Sequence, residues 1–420
     1  MKRFWVREEQ SDLLISAHGV FVEEARAALL EARAQIIGYA EGRKDFYSSL
    51  QPLEMDENAP PVVRDMLLAG IAASVGPMAA VAGAVVLALA GLIAYLSITE
   101  YKPAPVQAAD RIIRREEKSA VGTSLTVYTW NLGYAGLGEE SDFFMDGGTM
   151  VNPPSREIVE KNMAGIQEFM GQHPADAWLI QEVDVNSART EGMDQFARLT
   201  EAVAGDSAFA YNYKCPFVPI PLPPMGRIEG GLATVTPHSI KEEADRVSLP
   251  CPFTWPVRAA NIKRCLLVTR MAVEGSDREL VLINLHLEAY ESGEGRIAQT
   301  KQLLELMQQE YAKGNYVIAG GDFNQSFPGT LDTYPIREPE KWMPGLLTEE
   351  SLPEGWQYAF DETKPTCRLL DQPYCADCQL YVIDGFILSP NVELTEVETV
   401  HLDFTHSDHN PVRLEVRLVP

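Results

Sequence analysis

Basic side chains are in short supply: 35 Lys and Arg stand against 60 Asp and Glu, a formal net charge of −25 at pH 7. The deficit lies mainly in the longer C-terminal part, where residues 121–420 carry 22 basic and 44 acidic side chains against 13 and 16 in residues 1–120. A surface of that sign repels polyanions at long range and lacks the phosphate-neutralising patch of a general nucleic-acid binder, which disfavours duplex DNA as a partner. Cysteine is scarce as well, and six in 420 residues exclude a disulfide-built scaffold. Three of them crowd into "CRLLDQPYCADC", but a structural zinc site wants four ligands, usually as two paired knuckles, and no second knuckle follows. The apolar fraction of 46% is that of a globular protein and excludes disorder as the theme.

Long uncharged runs are missing with one exception. "MAAVAGAVVLALAGLIAYLSIT", residues 78–99, is 22 residues without a charge, enough to cross a bilayer as a single helix. A single-pass membrane protein is therefore expected, with a transmembrane helix over 78–99 and a linker over 100–122 before the long acidic part. Arg64 is the one basic residue in the twenty before Met78, whereas Lys102, Arg111, Arg114, Arg115 and Lys118 follow the run. That count would put the C-terminal side in the cytoplasm.

Residues 1–77 precede this run. "REEQSDLLI" reads as a strand, and Val22, Ala25, Leu29, Ala32 and Ile36 fall at helical spacing after it. "QSDLLI", "FYSSLQPL", "APPVVRDML" and "VGPMAAVAGA", in that order, resemble the N-terminal part of an uncharacterised prokaryotic family related in fold to flavin transferases of the ApbE type. The resemblance extends to about residue 86, so the segment reads as a partial module to which no chemistry is assigned. A flavin-linked role is the alternative it leaves open.

From about Ser124 strands and helices alternate, and polar residues recur at strand ends. "LTVYTWNLG" alternates up to Asn131; a helix follows with Ser155 as its N-cap and Val159, Met163, Ile166 and Met170 on one face. "AWLIQEVD" carries Glu182, "LVLINLHLEA" His286, "NYVIAGGDFNQ" Asp322 and Asn324, and "LYVIDGFILS" Asp384; "FTHSDHNPV" closes the set with Asp408 and His409. Singly, each is ordinary: a turn asparagine, a solvated carboxylate, a hydrogen-bonded core histidine. Together they put acceptors and imidazoles at six strand ends in one fixed order, which chance produces far less readily than any one of them.

In this order "TWNLG", "IQEVD", "NLHL", "GGDFN", "VIDGF" and "SDHNP" resemble the endonuclease/exonuclease/phosphatase superfamily, over residues 123–420. The resemblance implies an α+β fold, a four-layered α/β/β/α sandwich of the deoxyribonuclease I-like kind, with the site along one edge of both sheets. It also implies roles. Glu182 is the principal metal ligand, with Asn131 and Asp408 beside the metal, which is Mg2+ with Mn2+ as the alternative. Asp384 polarises His409, Asp322 orients or deprotonates water, and Asn324 and His286 hold phosphoryl oxygens. His406 lies outside the pattern.

The function implied is a membrane-anchored phosphoesterase acting on a lipid or small phosphoester; a nuclease acting on DNA or RNA and a non-catalytic binding protein are the alternatives. "ESDFFMDGG" and "FTWPVR" resemble a membrane-anchored bacterial branch, which places the catalytic domain on the outer face against the basic-residue count. Tyr211, Tyr213, Lys214 and Arg227 are candidates for a substrate wall, or else part of a proline-rich surface loop. No protein partner is inferable.

Overall fold

The structure is a computed structural model. It describes residues 30–43, 45–79, 86–115, 119–241, 243–290 and 293–419 in full, and the backbone course alone of 2–8, 11–17, 22–29 and 80–85. The chain divides into two compact units, Met1–Ile98 and Thr99–Pro420.

The first unit pairs strands Lys2–Glu8 and Ser11–Ala17 antiparallel, followed by helices Val22–Gly42, Asp45–Ser48, Pro61–Ala73 and Pro77–Ile98. Side chains of Val22, Ala25 and Leu29, expected on the apolar stripe of the first helix, lie outside the described residues. Ile36 of that stripe packs on a small core of Ala40, Phe46, Ala59, Val63 and Leu67. The apolar run expected as a transmembrane helix is indeed helical, as Pro77–Ile98. Among the described residues, however, no helix is long and apolar enough to cross a membrane. The side chains of 80–85, inside this helix, are not among them. At its start, Met78 packs on the small core of the unit, so that end of the run is engaged with protein. An uncharged helical run has the same sequence signature whether lipid or protein covers it.

The second unit holds two seven-stranded sheets. In spatial order the first is Val392–Thr399, Val412–Leu418, Ser124–Asn131, Ala177–Asp184, Gly226–Thr236, Asp206–Val218 and Arg111–Ile113. The second is Gln357–Ala359, Asp384–Leu388, Tyr316–Asp322, Glu279–His286, Cys265–Ala272, Asp245–Ser248 and Val106–Ala108. Each is antiparallel except for one central parallel pair, Ser124–Asn131 with Ala177–Asp184 and Glu279–His286 with Tyr316–Asp322. A parallel pair needs a crossover, and helices Arg156–Gln172 and Glu294–Ala312 supply the two.

Side chains of a strand alternate between faces, and that alternation builds the layers. Leu125, Val127, Leu179, Leu282, Ile318, Phe386 and Leu414 form the core between the sheets. Tyr128, Trp130, Trp178 and Ile180 point the other way, against Val159, Met163, Ile166 and Met170 of the first crossover helix. Val281, Ile283, Leu285, Val317 and Ala319 do the same against Leu303 and Met307 of the second. This is the expected α/β/β/α sandwich. Ser155 occupies the N-cap position but makes no capping hydrogen bond to the backbone of the helix.

The expected linker over 100–122 is a correction. Val106–Ala108 pairs with Asp245–Ser248 and closes one edge of the second sheet, while Arg111–Ile113 pairs with Asp206–Val218 and closes one edge of the first. Val121 is fully buried and bridges to Val273. Strands of three residues are too short to leave an alternating pattern in the sequence.

Candidate active site

The alternation that builds the core also builds the site. Leu125, Val127 and Thr129 face inward, so Asn131 does too, at the strand's last position. On the second sheet His286, Asp322 and Asp384 are paired across three adjacent strands, one rung of the ladder. All four residues therefore point between the sheets at the same edge. One rung deeper a buried polar layer supports them: Gln181 Nε2 donates to Asn284 Oδ1 (2.7 Å) and to Thr129 Oγ1 (3.1 Å).

Glu182 breaks the alternation. Its neighbour Gln181 faces inward, so a regular strand would turn Glu182 outward. Instead the ladder to Gly226–Thr236 shifts register between Ile180 and Val183, and Glu182 takes φ of 55°. A bulge of this kind re-aims a side chain at a cost in local strain. Glu182 Oε1 comes to 3.4 Å from Asn131 Nδ2. The bulge is braced by Asp184, which accepts two hydrogen bonds from Arg189 (2.9 and 3.0 Å), and Arg189 lies 3.6 Å over the Tyr134 ring.

Asn131 is the hub. Its Nδ2 is 3.0 Å from Asp322 Oδ2 and 3.5 Å from His409 Nε2, while its Oδ1 accepts from the Gly133 amide. Gly133 has φ of +50°, and a Cβ there would sit 2.4 Å from Asp408 Oδ1, so only glycine lets this loop approach Asp408. Ser407 Oγ donates to Asn131 O (2.7 Å) and accepts from the His409 amide (3.1 Å), which locks the "SDHNP" loop to the end of the Asn131 strand.

His409 Nδ1 lies 2.8 Å from Asp384 Oδ2, and its Nε2 faces Asp322 Oδ2 at 3.9 Å and Asp408 Oδ2 at 3.8 Å. Burial opposes charge on this imidazole, but Asp384 and Asp408 outweigh it and hold its pKa well above the ordinary value. His286 goes the other way: burial, then the Arg264 charge, push its pKa well below the ordinary value, so it is neutral beside Asp322 at 3.3 Å. Burial and the neighbouring Asp384 raise Asp322 to about 7. Burial raises Asp408 to about 6, and the Glu182 charge adds to the shift. Asn324, at φ of 51°, gives its amide to Asp322 Oδ1 (2.8 Å) and its side-chain Nδ2 to Leu287 O (2.9 Å), so it orients Asp322 through the backbone.

Among the described residues, the one group of three ligand atoms within 4.8 Å of one another is Asp322, Asp384 and His409. His409 Nδ1 is already engaged by Asp384, an arrangement suited to proton transfer more than to holding an ion. Glu182 and Asp408, with the Asn131 amide beside them, fit a hard divalent ion better: both are carboxylates, and a cation would offset the burial, and the smaller Glu182 repulsion, that raise Asp408. The three clustered cysteines form no such group, and all six are free thiols, with Cys375 and Cys378 sulfurs 3.3 Å apart.

His406 stands apart from the site, its ring against Gly165. The four residues considered for a substrate wall are engaged elsewhere: Lys214 lies 4.2 Å over the Tyr211 ring, Tyr213 Oη donates to Ala260 O, and Arg227 binds Asn186. Two residues went unnoticed in the sequence. Tyr290 Oη donates to Asp146 Oδ1 (2.9 Å); burial raises Asp146 to about 6, and the phenol is raised too, by burial and then by Asp146, with Glu182 and Asp408 adding to it. Asp146 belongs to the "ESDFFMDGG" stretch, whose aspartates were the available signal.

Residues 128–409 match the Endonuclease/Exonuclease/phosphatase family, and residues 1–98 match AbpE bacteria. Among curated proteins, a UPF0280 protein of Methanocaldococcus jannaschii is 36% identical over 84 residues, covering 20% of this chain and 34% of its own. One from Methanococcus maripaludis is 40% identical over 76 residues, covering 18% and 31%. The chain thus spans about a third of the length of the curated relatives it matches. Among solved structures, an endonuclease/exonuclease/phosphatase from Beutenbergia cavernae is similar with a TM-score of 0.48 at 17% identity, covering 71% of this chain and 72% of that one. Truncated TDP2 of Caenorhabditis elegans follows with a TM-score of 0.43 at 15% identity, covering 70% and 98%.

Proposed function

Because this chain belongs to the endonuclease/exonuclease/phosphatase family, we propose that its second unit hydrolyses a phosphoric ester with the help of a divalent metal ion. The observation that carries the reading is the convergence of Asn131, His286, Asp322, Asp384 and His409 on one edge of both sheets, with Glu182 turned toward them by a bulge. Glu182 and Asp408 would hold the ion beside Asn131. Mg2+, or Mn2+ in its place, supplies charge neutralisation at the non-bridging phosphoryl oxygens.

The two candidates for proton transfer differ in environment. Asp322, raised to about 7, exchanges a proton near neutral pH and is the group suited to take one from water. His409, kept charged by Asp384, donates from Nε2 to a phosphoryl oxygen or to the departing oxygen. Neutral His286 and the Asn131 amide complete the polar lining. Every position a hydrolase of this kind would need is present, which argues against a non-catalytic binding role.

An acidic surface favours a small or lipid phosphoester over duplex DNA, with nuclease action on DNA or RNA as the second reading. The reading does not rest on a membrane anchor, nor on chemistry in residues 1–98, whose flavin-linked alternative predicts yellow purified protein. The test is turnover of bis(p-nitrophenyl) phosphate, sphingomyelin, phosphoinositides, plasmid DNA and single-stranded RNA with magnesium and with chelator. Magnesium-dependent turnover of any of them supports the reading; none at all would remove it.

A further inference from the structure

A second concentration of charge lies on the same edge of the second sheet. Leu266 pairs with Leu285, one residue before His286, and Cys265 pairs with Ser248, so the active-site ends of these strands stand side by side. Past them is a cleft of about 300 Å³ whose lining includes Lys102, Arg246, Arg258, Lys263 and Arg264, with Glu100 as its acidic residue. In a unit, residues 99–420, where acids outnumber bases 48 to 27, five cations around one cleft are a local reversal of sign.

These charges are not balanced from within. Arg258, Lys102 and Lys263 share the single carboxylate of Glu100, at 2.9, 3.5 and 3.6 Å. Arg246 is fully buried and hydrogen-bonds three neutral oxygens: Tyr211 O (3.0 Å), Ser248 Oγ (2.7 Å) and Lys263 O (2.8 Å). Arg264 is 6% exposed, its Nε and Nη1 have no hydrogen-bond partner, and its ion pair to Glu288 Oε2 is long, at 3.9 Å. The buried Tyr101 hydroxyl, beside the same cleft, is also unpartnered. Burial lowers Lys263 against the pull of Cys251 and Glu100, and the Arg258 charge adds a small part. Buried guanidinium groups are normally paired, because leaving one unsatisfied is costly. Adjacent strands are roughly 5 Å apart, so this cleft lies within about one to three strand spacings of His286.

We propose that this cleft is a subsite for a second phosphate of the substrate, so that the phosphoester processed at the Asn131–His409 site carries another phosphate group one short linker away. Arg264 stands between the two, with Glu288 behind it, and the fork of Arg258 with Lys102 forms the exposed rim. The inference rests on the phosphoester reading of the neighbouring site, and it names the class of substrate: a bisphosphorylated molecule, either soluble or presented by a lipid head group.

The test uses the full chain in chelator, so that binding is read without turnover. Calorimetry compares hexyl phosphate with hexane-1,6-diyl bisphosphate, and sedimentation with phosphatidylcholine vesicles containing phosphatidylinositol 4-phosphate, whose head group carries two phosphates, serves as the lipid arm. The wild type should prefer the bisphosphate, or the anionic vesicles, by roughly tenfold or more, and Lys102→Gln with Arg258→Gln should abolish most of that preference. Both side chains are well exposed, at 64% and 43%, so this double variant keeps the fold, which an unchanged thermal midpoint checks. Arg264→Lys, which keeps the charge but loses the fork, should lower the preference severalfold. Turnover of bis(p-nitrophenyl) phosphate by the wild type with magnesium is measured beside binding, so failure of the hydrolase reading and failure of the subsite are told apart. A preference in the soluble arm assigns a soluble bisphosphate, and one in the vesicle arm assigns a lipid phosphate. Equal binding of mono- and bisphosphate together with no vesicle binding, or a preference that survives the double variant, would overturn the proposal.

Discussion

His409 Nδ1 and Asp384 Oδ2 are 2.8 Å apart and come from different sheets: Asp384 opens a strand of the second, and His409 sits in the loop that leads into Val412–Leu418 of the first. The bond joins the two halves of the sandwich at the site. It also fixes the imidazole with Nε2 toward Asp322 and Asp408.

His409→Ala and Asp384→Ala should therefore each lower turnover by about 10²–10⁴-fold, the range for a positioned acid or base. The double variant should be little worse than either single one, because each already disables the pair. His406→Ala, whose ring lies against Gly165 and not in the site, should remain within about a fewfold of wild type, the scale of changes outside functional networks. Penalties that multiply in the double variant would mean the residues act independently.

A pH dependence of stability follows from Asp408, whose pKa burial raises from 3.8 to about 6. The folded state then holds this proton more tightly than the unfolded chain, so stability is highest below about 4 and declines as pH rises to about 6. The shift corresponds to about 3 kcal/mol. His286, lowered by burial, contributes a slope of opposite sign below its ordinary value, so the measurement is the difference between wild type and Asp408→Asn in chelator. That difference should fall across this window, and magnesium should restore most of it at pH 8. A difference independent of pH would place the Asp408 carboxylate outside the strained cluster.

The domain boundary gives a third test. Residues 99–420 expressed alone should be folded and active, whereas residues 123–420 lose Val106–Ala108, Arg111–Ile113 and the buried Val121. Losing that packing costs about 2–5 kcal/mol, a fall in thermal midpoint of about 5–15 °C. Equal midpoints for the two fragments would return residues 100–122 to the status of a linker.

How much could be read beforehand differs from residue to residue. Asn131, His286 and Asp322 were legible because a strand's alternation carries its last inward position to the sheet edge, and the hydrophobic residues before each declare which face is inward; Asp384 opens its strand, and the residues after it do the same. Glu182 was found by its place in the motif. Its inward aim comes from a bulge against Gly226–Thr236, where Val183 pairs with Gly231 and Ile180 with Ala233, and no local pattern encodes that. Tyr290 with Asp146, and Arg258 with Glu100, are partnerships made by segments that meet only in the folded chain. The 78–99 run is the opposite case: its local pattern is strong, but among the described residues no helix is long and apolar enough to cross a membrane. Three-residue edge strands are too short to be read at all.

The most direct test of the account is magnesium-dependent turnover of bis(p-nitrophenyl) phosphate by Glu182→Gln beside wild type, with the thermal midpoint of each taken in chelator and in magnesium. Removing a charged ligand should cut turnover by about two orders of magnitude or more and shift the magnesium optimum upward. The metal-free midpoint should stay nearly unchanged, and the rise on adding magnesium should be smaller than in wild type. Turnover equal to wild type, with the same magnesium dependence, would contradict the assignment of Glu182 to the metal and with it the reaction proposed for this edge of the sheets.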